Sequence, residues 1–239
     1  MNSDKFSEAS EVQAIIDAYN FLVNGINEKA ISEKERAYGG IIRSGKGKLV
    51  ESLTEHLVQI AWSDLGGKED RLSFLHSAFE FPIKKEYVER LKNEEVKEYI
   101  LANIKDYHYR FKPDVQVAVD GKFVMGIECK AYTENAMFKR ILVDFTLLKI
   151  KFPQLDCVLL QLESQLGGDY SALGDVTYGS PSTHTLLSYF DVNLNIITLL
   201  VGERKVDRPI HKQEFFKPLT QEALYKAIVI FKDLLKNKK

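Results

Sequence analysis

The sequence predicts an α/β fold with a mixed central β-sheet flanked by helices, and three observations support this. Apolar residues follow a helical period early in the chain and a strand period from Tyr109 onward. Asp120 and Gly121 form a dipeptide typical of a tight hairpin turn between two strands. After this hairpin, strand-like and helix-like segments alternate, which favours a sheet covered by helices.

The chain before the hairpin is predicted to form three helices. The first covers residues 7–30, with a serine start and Gly25 as a candidate break. The second covers residues 48–67 and ends at a Gly-Gly pair. The third, over residues 85–104, is amphipathic, and a solvated face explains its many charges.

From Tyr109 onward we expect one hairpin followed by alternating helices and strands. The first strand of the hairpin alternates apolar and polar residues. Thr133 is expected to cap the helix that follows the second strand of the hairpin. The predicted strands are 109–119, 122–132, 155–164 and 193–203, and the predicted helices are 133–152, 181–190 and 220–235.

Composition and charge restrict the class of protein. Lys and Arg number 33 against 34 Asp and Glu, and the formal net charge is −1. No global positive field indicates a nucleic-acid partner, although a local basic groove would be sufficient to bind one. The polar start lacks a secretory signal, and no apolar stretch approaches the roughly 20 residues of a spanning helix. We expect a soluble cytoplasmic protein with no membrane partner, and buried side chains at Cys129 and Cys157.

One glycine-rich segment has a residue pattern similar to that of the phosphate-binding loop of nucleotide hydrolases. It has Gly40, four further residues and then Gly45-Lys46. That loop needs a hydroxyl after the lysine and an apolar strand before it, but Gly47 follows the lysine and polar residues precede the segment. We therefore expect no nucleotide cofactor, and interpret the segment as a flexible basic loop before a helix.

The hairpin also brings acidic and basic side chains together. Asp114 precedes the turn by about as many residues as Glu128 follows it, so the two carboxylates should be cross-strand neighbours. Glu128 and Lys130 share one face of the strand, whereas Cys129 points to the other. Adjacent carboxylates repel each other unless a cation lies between them, and Mg²⁺ prefers such oxygen ligands. A salt bridge to Lys130 with no catalytic role is the alternative.

The segment KPD at residues 112–114, followed after thirteen residues by ECK at residues 128–130, resembles the motif of the PD-(D/E)xK nuclease superfamily. The resemblance is greatest to its type II restriction endonucleases. It covers the chain from Lys48 to about Glu163, where helix, hairpin, helix and buried strand follow each other in a similar order. The fold it implies is a restriction-endonuclease-like core with helical N-terminal additions.

The resemblance implies a magnesium site with one or two ions. Its ligands would be Asp114, Glu128 and the backbone carbonyl of Cys129, and Lys130 would orient or deprotonate the attacking water. An acid from the upstream helix would complete the site. Glu51 matches that acid best, with Glu55 one turn later as the alternative. A single nuclease domain over 1–239 would comprise a helical segment (1–45), a catalytic core (about 46–165) and a C-terminal part with DNA-recognition elements (166–239).

The function implied is a magnesium-dependent endonuclease acting on double-stranded DNA, of restriction type and homodimeric. A repair, recombination or transposition nuclease of the same superfamily is one alternative. A non-catalytic DNA-binding protein with this fold is another, and the complete set of two acids and a lysine argues against it.

Three segments supply candidate DNA contacts. One is basic and precedes the Glu51 helix, one starts a helix after the strand bearing Glu163, and one is a basic segment near the C-terminal helix. Solvated loops and an ordinary helix cap explain the same residues without function. The candidates are Arg43, Lys46, Lys48, Ser180, Ser182, Thr183, His184, Arg204 and Lys205.

Overall fold

The computed structural model describes residues 3–30, 35–167, 180–210 and 212–239, with side chains from residue 10 to 23 and, in the later ranges, from residue 47. The chain divides into two compact units. The first comprises Met1–Leu75 and Asp114–Lys239, and the second comprises His76–Pro113.

The described residues form seven α-helices and seven strands. The helices are α1 (Ser3–Ala30), α2 (Glu35–Asp64), α3 (Lys85–Glu89), α4 (Glu94–Ala102), α5 (Asn135–Lys151), α6 (Pro181–Ser188) and α7 (Gln221–Leu235). The strands are β1 (Leu72–Leu75), β2 (Phe79–Pro82), β3 (His108–Phe111), β4 (Val115–Val119), β5 (Lys122–Glu134), β6 (Asp156–Gln165) and β7 (Leu194–Thr198).

The first unit is built on a five-stranded sheet in the order β1-β4-β5-β6-β7. β1, β4 and β5 pair antiparallel, whereas β5, β6 and β7 pair parallel, so the sheet is mixed as predicted. Asp120 and Gly121 both have positive φ, 50° and 73°, which is the conformation that a tight hairpin turn requires. Arg71 holds this turn with a 2.7 Å ion pair to Asp120.

Helices cover both faces of the sheet. On one face, buried residues of α1, α2 and α7 join a core that includes Leu57, Ile127 and Leu160. On the other face α5 packs closely, because a Cβ added to Gly126 would lie 3.3 Å from the ring of Phe145. The sheet therefore lies between two helical layers, which confirms the predicted fold class.

Proline and asparagine divide two elements that the sequence analysis treated as continuous. The predicted strand 109–119 is interrupted because Pro113 has no N–H to donate to a ladder. β3 instead pairs with β2 in the second unit. The predicted helix 85–104 is also two helices, because Asn93 caps α4 by accepting a hydrogen bond from Val96 N at 3.1 Å.

Several helix boundaries also differ from the prediction. The glycine-rich segment predicted as a flexible loop lies inside α2, and α1 continues through Gly25. Intrinsic propensity is weak beside tertiary packing, and α2 packs against α1 and β5. Thr133 is not a helix cap, because parallel pairing with Ser164 keeps it in β5 and α5 begins at Asn135. None of the helices in the described ranges is long and apolar enough to cross a membrane.

Candidate active site

The β4–β5 hairpin places Asp114 beside the middle of β5. Val115 is registered opposite Ile127, so Asp114 lies just beyond the end of β4, next to Glu128 and Cys129. The backbone N–H of Cys129 donates a 2.8 Å hydrogen bond to Oδ2 of Asp114. This bond fixes the Asp114 carboxylate against β5, at the position that the hairpin register predicted.

The ammonium of Lys130 lies between the two carboxylates. Its Nζ atom is 2.6 Å from Oδ2 of Asp114 and 2.6 Å from Oε2 of Glu128. The two oxygens are therefore at most 5.2 Å apart, twice the shared distance. The side chains of Asp114 and Lys130 are 27% and 26% exposed and that of Glu128 is 8% exposed, so the cluster is open to solvent on one side.

Burial dominates the electrostatics of this cluster. It raises the pKa of Glu128 to about 7; the Lys130 ammonium opposes this rise and the Asp114 carboxylate adds to it. Burial lowers the pKa of Lys130, but the charges of Glu128 and Asp114 raise it by more, so the net pKa is above the ordinary lysine value. Lys130 is therefore protonated at neutral pH, while Glu128 exchanges a proton near neutrality.

Asp144 is an acid near this cluster that the sequence analysis did not select. It is buried on α5, 3.6 Å from Nε of Arg140, and its charge contributes to the raised pKa of Glu128. The signal in the sequence was a charged residue within the largely apolar stretch 141–145. A charge at such a position is uncommon unless it is paired.

The two carboxylates fit a hard divalent cation. Asp114 and Glu128 direct oxygens at one point, which the Lys130 ammonium occupies in this structure. Within the described ranges, no group of three or more His, Cys, Asp or Glu side chains is arranged to hold a metal ion. A magnesium site does not need such a group, because Mg²⁺ keeps several waters and commonly binds one or two carboxylates together with substrate phosphate.

The side chain of Cys129 points away from the carboxylates, as the alternation of β5 predicted. Its Sγ atom is 3.3 Å from Oγ1 of Thr54 on α2, and burial raises the pKa of the thiol well above its usual range. This contact brings α2 against the face of β5 opposite to the one that carries the Glu128 and Lys130 side chains. Glu51 and Glu55 flank Thr54 on α2, and both are partly buried. The choice between them, and the metal contact of the Cys129 carbonyl, stay predictions.

The candidate DNA contacts of α2 are in a different setting from the one predicted. The helix begins at Glu35 rather than near Lys48, so the backbone amides near Lys46 lie within the helix and are not free to bind phosphate. Lys48 is exposed on α2. The side chains of Arg43 and Lys46 lie outside the described residues.

The start of α6 is an ordinary helix cap. Oγ of Ser180 accepts a 3.1 Å hydrogen bond from the backbone N–H of Thr183. The Thr183 side chain is buried and donates a 2.8 Å hydrogen bond to the carbonyl of Leu166. The predicted base contact of Thr183 is therefore not supported. Ser182 and His184 are exposed, and their contacts with DNA stay predictions.

Arg204 and Lys205 lie beyond β7 in contrasting surroundings. Lys205 is exposed, whereas the guanidinium carbon of Arg204 lies 3.7 Å from the centre of the Tyr132 ring. Nη1 of Arg204 also donates a hydrogen bond to Oε1 of Gln165. Tyr132 and Gln165 were not selected from the sequence, since a single tyrosine and glutamine on strands carry no motif.

Comparison with known proteins gives one extensive match. The chain is 50% identical over 229 residues to the type II restriction enzyme DdeI of Desulfomicrobium norvegicum (strain DSM 1741 / NCIMB 8310), a match that covers 94% of this chain and 95% of the relative. No protein-family profile matches the chain. Among solved structures, a chain of the native BbvCI A2B2 tetramer aligns with 12% identity and a TM-score of 0.37, over 100% of this chain and 92% of that one.

Proposed function

The chain belongs to the type II restriction endonucleases, which are site-specific deoxyribonucleases, and on that premise we propose that it cuts double-stranded DNA in a magnesium-dependent reaction at the Asp114–Glu128–Lys130 cluster. The observation that carries this proposal is the position of the Lys130 ammonium, which both carboxylates contact at 2.6 Å. A purely structural ion pair would make the same contacts. The 50% identity to a restriction enzyme favours the catalytic role.

Asp114 and Glu128 would hold the metal ion. When bound, magnesium would supply a Lewis acid for the phosphate and lower the pKa of a coordinated water. Because burial raises the pKa of Glu128 to about 7, metal binding near neutral pH would displace a proton from this carboxyl group. The Cys129 N–H keeps the Asp114 carboxylate in place through the 2.8 Å hydrogen bond.

Lys130 would act through its charge and hydrogen bonds, or as a base once a metal ion offsets the two carboxylates. Without metal, these carboxylates raise its pKa above the ordinary lysine value, so the ammonium keeps its proton at neutral pH and has hydrogen bonds to donate. Once the carboxylates bind a metal ion, they no longer need Lys130 as their counter-ion. Its N–H groups can then orient the attacking water or stabilise negative charge on the phosphate.

The two strands of the target favour a homodimer. Each chain carries one Asp114–Glu128–Lys130 cluster, and a duplex break requires two hydrolytic events on antiparallel strands. Two copies related by a twofold axis would present one cluster to each strand. Light scattering of the protein bound to a short duplex should give two chains per duplex. A mass of one chain per duplex would contradict this assembly.

The activity can be tested by incubating the purified protein with plasmid DNA and magnesium chloride, and sequencing the ends. Discrete fragments whose ends share one short sequence are expected, and the Asp114→Asn variant should leave the plasmid uncut. Ends that follow DNA structure rather than sequence would favour the repair or recombination alternative. The absence of cleavage with magnesium or manganese would contradict the proposal.

A further inference from the structure

Arg204 is held on the same face of β5 as the Asp114–Glu128–Lys130 cluster. Side chains alternate along a strand, so Tyr132 shares a face with Lys130 and lies about 6.6 Å further along β5. The Arg204 guanidinium covers the Tyr132 ring at 3.7 Å. Its charge therefore lies over Tyr132, two residues along β5 from Lys130 in the cluster that would hold the scissile phosphate.

The backbone that carries Arg204 is anchored by three contacts. The N–H of Arg204 donates a 2.7 Å hydrogen bond to the carbonyl of Ser164. Lys217 Nζ donates to the carbonyl of Gly202 at 2.9 Å, and the Glu203 carboxylate accepts a 2.9 Å hydrogen bond from Gly167 N. These contacts hold the backbone, and the Gln165 hydrogen bond and the Tyr132 ring hold the Arg204 side chain.

The charge of Arg204 has no acidic counterpart in the described part of the chain. None of the ion pairs there includes Arg204, and its polar side-chain contact is the neutral amide oxygen of Gln165. Of the five other arginines whose side chains are described, Arg90 donates to a backbone carbonyl and four pair with a carboxylate: Arg71, Arg110, Arg140 and Arg208. A half-buried, immobilised guanidinium without a carboxylate is an arrangement suited to an anionic ligand.

We propose that Arg204, positioned by Tyr132 and Gln165, binds the DNA backbone phosphate adjacent to the scissile phosphate. This proposal rests on the proposed function, because the cluster defines which phosphate is scissile. Nη1 donates to Gln165 and the Tyr132 ring covers one side of the guanidinium, so a phosphate would bind the remaining N–H donors in the guanidinium plane. A phosphate contact would align the strand over Asp114 and Glu128 without reading its sequence.

The test uses fluorescence anisotropy in metal-free buffer with duplexes containing the cleavage sequence or an unrelated sequence. Arg204→Ala should weaken binding to both duplexes by a similar factor of about 10, as expected for loss of a charge-assisted hydrogen bond. The salt dependence of binding should fall by about one released counterion. Arg204→Lys should retain the salt dependence but bind more weakly than the wild type, because it loses the planar stack. Lys236→Ala removes one positive charge at the end of α7 and is the matched control, with unchanged binding.

A set of duplexes with one methylphosphonate each then locates the contact. A methylphosphonate at the phosphate beside the cleaved bond should weaken DNA binding by the wild type about as much as Arg204→Ala does. The same duplex should show no further loss of binding to the Arg204→Ala variant. Equal sensitivity of wild type and variant at every position would overturn the proposal. A loss confined to the duplex with the cleavage sequence would also overturn it, since it would indicate base reading.

Failure of the proposed function would show separately, as an absence of sequence-defined ends when the wild type is given magnesium. Thermal melting of both Arg204 variants establishes that they fold, and Arg204→Lys carries the methylphosphonate test if Arg204→Ala does not.

Discussion

Oε2 of Glu128 lies 2.6 Å from Nζ of Lys130, two residues further along the same face of β5. The same ammonium contacts Asp114 at 2.6 Å, so one cation bridges two carboxylates. A divalent ion bound by these carboxylates would have to take over this role of Lys130.

Lys130→Ala should nearly abolish cleavage while leaving DNA binding largely intact. Removing a donor that stabilises transition-state charge typically lowers the rate by about 100- to 1000-fold. Single-turnover cleavage at saturating magnesium, with binding measured separately, tests this. Lys226→Ala removes a lysine that pairs with Glu222 on α7 and should retain the wild-type rate. A Lys130→Ala variant that melts earlier but cuts normally per folded molecule would identify the cluster as a structural ion pair.

Without metal, the free energy of unfolding should depend on pH because Glu128 binds a proton in the folded state. The pKa of Glu128 is about 7 in the folded protein, above its ordinary value of 4.5, so the folded state holds a proton that the unfolded state has lost between these values. The contribution of Glu128 to the free energy of unfolding therefore decreases as the pH rises through this window, by up to about 1.4 kcal/mol per pH unit. Glu128→Gln carries no such proton. Urea unfolding from pH 5 to pH 8 should show the wild type losing stability relative to the variant, and parallel curves would contradict the raised pKa.

Metal affinity should rise with pH over the same range. Glu128 must be anionic to bind a cation, and its raised pKa means that a proton is displaced on binding near neutral pH. Isothermal titration calorimetry with magnesium should give tighter apparent binding at pH 8 than at pH 6, with proton release detected as a dependence on the buffer ionisation enthalpy. Asp114→Asn should bind weakly at both pH values. An affinity independent of pH would mean that Glu128 is not a ligand.

The sequence predicted those parts of the site whose residues lie close together along the chain. Asp114, Glu128 and Lys130 lie on one hairpin, so their proximity follows from a local turn and the alternation of β5. Arg204, which follows β7, and Tyr132 on β5 are distant in the sequence, and no local pattern predicts their contact. The division of the strand at Pro113 has a local cause, whereas the helical conformation of the glycine-rich part of α2 goes with the packing of α2 on α1 and β5.

That an acid from α2 completes the site stays a prediction, with Glu51 as the first candidate and Glu55 as the alternative. Thr54 fixes the rotation of the helix, since its hydroxyl contacts Cys129 at 3.3 Å, and Glu51 and Glu55 lie on either side of it. We expect Glu51→Gln to lower the single-turnover rate by at least about 100-fold, comparable to the loss of one transition-state contact, and to weaken magnesium binding. Glu55→Gln is the matched control, because it makes the same chemical change one turn later on the same helix. If Glu55→Gln is the inactive variant and Glu51→Gln is active, the assignment is reversed. If both variants are active, the two hairpin carboxylates hold the metal ion without an acid from α2.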